Sequence, residues 1–149
     1  MDCLGRLSQE QIWARAGENV NAVGNLVLHL CGNVRQWIIH GVGGAPDIRR
    51  RPEEFAARDG PTGPELAARL QATIHEALAV IDALTAERLA ERVVIQGYDV
   101  TKLEAVLHVL EHFAQHTGQI LFFTKTVTGA DLGYYRHLDG GAPRKEPAP

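Results

Sequence analysis

Apolar positions recur at helical spacing in three stretches of this chain, separated by polar or Gly/Pro-rich segments. Leu66, Leu70, Ile74, Leu78, Ile81 and Leu84 advance by three or four residues, a stripe that predicts one amphipathic helix. The run Asn25-Leu-Val-Leu-His-Leu-Cys-Gly-Asn-Val-Arg-Gln-Trp-Ile38 predicts a second. In the third, Leu103, Val106, Leu107, Val109, Leu110, Phe113, Ala114, Ile120, Leu121 and Val127 form a broad apolar arc, with Glu104, Glu111 and Gln115 on the wet side. Two helix starts carry the same capping box, Thr62-Gly-Pro-Glu65 and Thr101-Lys-Leu-Glu104, in which hydroxyl and carboxylate satisfy free N–H groups reciprocally. Gly129 ends the third helix and Gly41-Val-Gly-Gly-Ala-Pro46 the second. From there to Pro61 the chain reads as a long polar loop that covers one end of a bundle. Val93-Val-Ile95 reads as a short extended segment with no evident partner. These elements predict an all-α domain over residues 1–139 and a disordered Gly- and Pro-rich tail over 140–149.

The candidate chemistry lies on the third helix, where His108, His112 and His116 recur every four residues. Adjacent members are neighbours about 6 Å apart along the axis, close enough to offer two imidazoles to one ion. The outer two are separated by about 12 Å of rise and roughly 80° of rotation, so one metal can take only two of the three. His112 and His116 fall on the border of the apolar arc, where a core holds the rings while one side stays open. His108 lies further round, among polar residues, and is expected to be exposed or to support a ligand from behind. An i,i+4 pair alone is a weak signal, and a third ligand should come from another helix. His29 is the histidine embedded in a strongly patterned apolar segment, on a stripe with Asn25, Asn33 and Trp37. His40 lies about 16 Å further along that helix and is expected to cap its C-terminal carbonyls. His75 and His137 read as surface residues. Asn33 and Gln119, each about one turn from a candidate ligand, are expected to orient the imidazoles. No carboxylate is placed as a general base, and no catalytic residue is assigned.

Leu7-Ser-Gln-Glu-Gln-Ile-Trp13, Asn25-Leu-Val-Leu-His-Leu-Cys-Gly-Asn33 with Arg35-Gln-Trp37, Val109-Leu-Glu-His-Phe-Ala-Gln-His-Thr-Gly-Gln-Ile120 and Leu132-Gly-Tyr-Tyr together resemble the DinB-like (YfiT-type) superfamily. The resemblance covers most of the chain. It implies an up-down-down-up four-helix bundle that holds a divalent metal with one His from the second helix and an HxxxH pair from the fourth. Mapped here, those are His29, His112 and His116. It also implies an activity class, metal-dependent hydrolase or S-transferase using a low-molecular-weight thiol, on a small-molecule substrate. One departure stands out. A complete first helix should precede the segment resembling Leu7–Trp13, yet only Met1 to Leu7 precede it, so the first helix is expected to be missing or reduced to about a turn. The apolar stripes uncovered by that loss are expected to be closed by a homodimer or by an upstream segment absent from this chain.

Composition narrows the remaining classes. The 149 residues suit one domain, with a formal net charge of −3. Arg49-Arg50-Arg51 is a single short basic run neutralised by Pro52-Glu-Glu54, which excludes a nucleic-acid footprint. No stretch approaches the eighteen or so apolar residues of a membrane span, and the start lacks signal-peptide organisation, so a cytoplasmic protein is expected. Cys3 and Cys31 suggest no disulfide framework; Cys31 reads as a small core residue. A three-imidazole site suits Zn²⁺ or Ni²⁺ and leaves coordination positions for water or thiolate. The competing expectation is a non-catalytic, metal-stabilised or metal-sensing helical module.

Overall fold

Three long helices frame the molecule, which a computed structural model describes for residues 2–134. Two short helices, α1 (Asp2–Arg6) and α2 (Gln9–Trp13), precede α3 (Val23–Val34), which continues as a π-helical segment over Arg35–Val42. A short α4 (Arg51–Ala56) leads to α5 (Gly63–Asp82) and α6 (Ala86–Leu89). The hairpin β1 (Arg92–Ile95) and β2 (Tyr98–Thr101) then delivers the chain to α7 (Lys102–Thr128). Both expected capping boxes form, at Thr62 and Thr101, and a third forms at Ser8 with Gln11. Gly129 closes α7 in the left-handed conformation (φ 64°), which a glycine adopts without steric cost. The tail from Gly140 and His137 lie outside the described residues.

Among the described residues the fold is all-α apart from the hairpin, and α1 is little more than a single turn. Cys3, Leu4 and Leu7 are buried, and α1 packs on both α5 and α7. The core has two lobes. Leu4, Leu7, Ile12, Trp13, Val27, Leu30, Leu66 and Leu70 fill one end, while Trp37, Ile38, Ile39, Val42, Ala77, Ile95, Ala105 and Val109 fill the other. Phe113 packs against both lobes and so marks their junction, one residue from His112.

Three sequence expectations need correction. Leu78 is 50% exposed; the buried stripe of α5 runs through Leu66, Leu70, Thr73 and Ala77, the helix packing on α3 and its π-helical continuation. Val93-Val-Ile95 does have a partner, the strand Tyr98–Thr101, in antiparallel register with Ile95 opposite Tyr98. The two-residue turn is Gln96-Gly97, both at positive φ (54° and 84°), the mirror-image geometry that matches strand twist. The polar loop before Pro61 contains α4, which packs along α3.

Candidate metal centre

α3 and α7 cross so that His29 faces His112 and His116. The ligand-capable nitrogens of the three rings all lie within 4.8 Å of one another, with His29 buried and the other two half-buried. His29 Nε2 is 2.8 Å from His112 Nε2, and the ring centroids of His29 and His116 are 5.2 Å apart. Two imidazole nitrogens on one tetrahedral ion would be about 3.3 Å apart, so the pair needs only a few tenths of an ångström of spreading to accept one. The widest pair, up to 4.8 Å apart, must close below the roughly 4.2 Å that two nitrogens on one ion can span, and with that movement the cluster can hold a metal ion.

The rest of the site comes from a segment that the sequence presented as surface. Glu54, on α4, places Oε2 2.9 Å from His29 Nδ1, and Arg49 clamps the same carboxylate through Nε and Nη2, both at 2.8 Å. A carboxylate can only accept, so His29 donates through Nδ1–H and its Nε2 lone pair points at the cluster, the usual arrangement behind a metal-bound imidazole. The Arg49 side chain is 3% exposed, and its Nη2 also lies 3.0 Å from His29 Nδ1. Burial pushes the Glu54 carboxyl up, but hydrogen bonds and charge from Arg49 and His29 outweigh it and leave the group below the ordinary carboxylate range.

Local chemistry explains why α4 sits there. The Asn25 amide, fully buried at the start of α3, donates to the Glu54 and Ala57 carbonyls at 2.9 Å, while Arg15 donates to Asn25 Oδ1 and to the Phe55 and Ala57 carbonyls. On α3 itself, Gly32 leaves the space that the Glu54–Arg49 pair occupies: a Cβ there would stand 2.7 Å from Glu54 Cδ and 2.9 Å from Arg49 Nε. A glycine inside a helix was the one sequence signal of this close approach.

The other expectations divide. Gln119 Oε1 accepts from His116 Nδ1 at 2.7 Å, orienting that ring. Asn33 does not reach the imidazoles; its Oδ1 is buried without a hydrogen-bond partner among the described residues. His108 is half-buried and backs a ligand as expected: its ring stacks on His112 with centroids 5.7 Å apart, and its other neighbour is Trp37, tilted by 33° with centroids 4.0 Å apart. His40 donates to the Ala45 carbonyl at 2.6 Å, just beyond the helix end. His75 is exposed. Arg49 leaves the expected surface run altogether, because its charge is spent on Glu54.

Burial holds the His112 imidazole down at about 4, and the neighbouring His116, His29 and His108 rings and Arg49 add to the depression. Protons therefore compete for His112 only at pH values well below the ordinary imidazole range. Between about pH 6.5, where an unfolded histidine titrates, and about pH 4, the unfolded chain binds the extra proton, so stability of the metal-free protein falls as pH is lowered across that window. With the ring's partial exposure allowed for, the loss is on the order of 1–2 kcal/mol. Urea titrations at pH 7 and pH 4.5 should show it in the wild type and show less of it in His112→Gln; equal slopes in the two proteins would contradict it.

Residues 2–136 match the model of the family described as "Protein of unknown function (DUF1572)", and the chain belongs to that family. Among solved structures, a conserved protein from Enterococcus faecalis is similar over 87% of this chain and 88% of its own, with a TM-score of 0.68 and 16% identity. A DinB-like protein, YjoA, from Bacillus subtilis is similar over 90% and 88%, with a TM-score of 0.67 and 16% identity. The fold is thus DinB-like. No curated protein matches the sequence.

Proposed function

We propose that this chain is a divalent-metal protein, with Zn²⁺ or Ni²⁺ held by His29, His112 and His116, and that it acts on a small-molecule substrate as a hydrolase or thiol-dependent S-transferase. The observation that carries this reading is the convergence of three imidazole nitrogens, with Glu54 fixing the proton of His29 on the far side of its ring. When bound, such an ion brings water towards a pKa of about 7 or stabilises a thiolate. The protein's part is to hold its own groups in place. Glu54 keeps the His29 proton at Nδ1, Gln119 keeps that of His116 at Nδ1, and His108, itself against Trp37, stacks on the His112 ring. Imidazole ligands add no negative charge, which preserves the ion's electrophilic field. The two buried cysteines, both free thiols, support a reducing, cytoplasmic setting, and among the described residues no helix is long and apolar enough to cross a membrane.

Elemental analysis of purified wild type should find about one divalent ion per chain. His29→Ala, His112→Ala and His116→Ala should each lose most of it, whereas His108→Ala should retain it. Full retention in any of the first three would remove that residue from the ligand set. Turnover of ester, amide or alkylating substrates, with and without a low-molecular-weight thiol, then separates an enzyme from the alternative module. The alternative is favoured by the deep burial of His29, and predicts that metal raises the melting temperature with no turnover in any assay.

We further infer a homodimer through α7. Leu103, Leu107, Leu110, Ala114 and Leu121 follow a three–four step along the outer face of this helix; Leu110 is 64% exposed, and Phe122 beside them 75%. Such a seam is self-complementary about a two-fold axis. It is about 27 Å long and roughly 10 Å wide, so pairing would bury on the order of 600 Å², below the range of stable dimers. Light scattering should accordingly show a concentration-dependent monomer–dimer equilibrium that Leu110→Glu abolishes. A strict monomer at high concentration would overturn it.

A further inference from the structure

On the side of Glu54 and Arg49 away from the imidazoles lies a groove of about 600 Å³ between α3, α5 and residues 48–54. That is a usual size for a small-molecule site. Its walls carry four guanidinium groups, Arg35, Arg49, Arg50 and Arg69, against two carboxylates, Glu53 and Glu54, in a chain whose net charge is −3. The excess positive charge is therefore local. Arg49 is committed to Glu54, Arg35 to Glu76 at 2.6 Å, and Arg50 to Glu53 at 3.3 Å. The Arg50–Glu53 pair is an exposed surface contact worth little, and an incoming anion could displace it. Arg69 has no ion-pair partner among the described residues, although it stands on the groove wall beside Thr73. Apolar surface accompanies this charge: Leu28 and Ala72 line the groove, and Ile48 is 65% exposed at its edge. A bare exposed isoleucine next to unsatisfied guanidinium chemistry fits a ligand with both an apolar body and an anionic head.

We propose that this groove binds a small organic anion, with a phosphate or carboxylate group held by Arg69 and Arg50 and an apolar portion against Leu28 and Ile48. Guanidinium forks suit either oxyanion, since both present two acceptor oxygens in one plane. The site needs no metal. It does share a wall with the metal centre, since Glu54 and Arg49 reach both, so an anion that draws on Arg49 leaves Glu54 freer to hold His29.

The test uses the metal-free full chain and calorimetric titration with phenyl phosphate, benzoate and uncharged benzyl alcohol. Saturable binding of one or both anions, with benzyl alcohol failing to bind, is the expected result. Preference between phenyl phosphate and benzoate assigns the head group. Arg69→Ala should weaken the bound anion about tenfold, and Arg69→Lys should recover part of that loss. Arg88→Ala, a surface arginine on α6, should leave binding unchanged. Arg69 is exposed, so its variants should fold, and melting curves will verify it. The proposal is overturned if neither anion binds saturably at millimolar concentration, if benzyl alcohol binds equally well, or if Arg69→Ala binds like wild type. Because no metal is present, none of these outcomes depends on the three imidazoles.

Discussion

Glu54→Ala should be the most destabilising substitution outside the hydrophobic core, and it should weaken metal binding without touching a ligand. It leaves the Arg49 guanidinium, 3% exposed, as a buried cation with its main partner gone. Breaking a buried pair in this way costs about 3–5 kcal/mol. For a domain of this size that is a fall in melting temperature of roughly 10 °C. The His29 ring also loses the acceptor that fixes its Nδ1 proton, and loss of such a partner typically lowers metal affinity about 10–100-fold. The two effects can be separated. In the double variant Glu54→Gln with Arg49→Met the buried charge disappears from both sides, so much of the stability should return while the metal affinity stays low. If Glu54→Ala costs under about 1 kcal/mol in urea titration, or competes for metal as well as wild type does, then the pair neither stabilises the fold nor positions His29.

Gly32→Ala is the second large effect, and its sign runs against helix propensity. In the interior of a helix alanine is ordinarily better than glycine by about 1 kcal/mol. Here the added methyl would overlap Glu54 Oε1 and sit 2.7 Å from Glu54 Cδ and 2.9 Å from Arg49 Nε. Those atoms have little room to move, because Arg49 also donates to Gln36 and the α4 backbone is pinned by Asn25. Overpacking of this kind costs about 1–3 kcal/mol, so packing wins and the variant should be less stable. Its metal affinity should fall alongside that of Glu54→Gln, since the same carboxylate is pushed off His29. Gly118→Ala, inside α7 with nothing within 4 Å of the new Cβ, supplies the contrast and should be neutral or stabilising. A Gly32→Ala protein that melts higher than wild type, with unchanged metal binding, would show that the close approach has no energetic weight.

Local information was written plainly in the sequence. The capping boxes at Thr62 and Thr101, the closing Gly129, the helical stripes and the i,i+4 spacing of His112 and His116 all depend on residues within one or two turns of each other. The resemblance carried His29 to the same cluster before any contact between helices was known, and the structure brings its Nε2 to 2.8 Å from His112.

What the tertiary structure alone decided concerns charged residues whose partners are far off in sequence. Arg49 and Glu54 occur in a run of arginines, proline and glutamates that, read locally, has every mark of a solvated surface. Only the docking of α4 on α3, through Asn25, Arg15 and the gap at Gly32, removes that pair from water and sets it behind His29, 25 residues earlier in the chain. Asn33 differs in the opposite sense, and His108, which backs His112 as expected, does so from a place no periodicity shows. The helix wheel gives the direction of a side chain but not what stands there, and what stands beside His108 is the face of Trp37. Half of the α7 arc is bare for the same reason. Periodicity shows that a face is apolar, whereas burial depends on which neighbouring helix exists to cover it, and along Leu103, Leu107 and Leu110 none of the described residues does so.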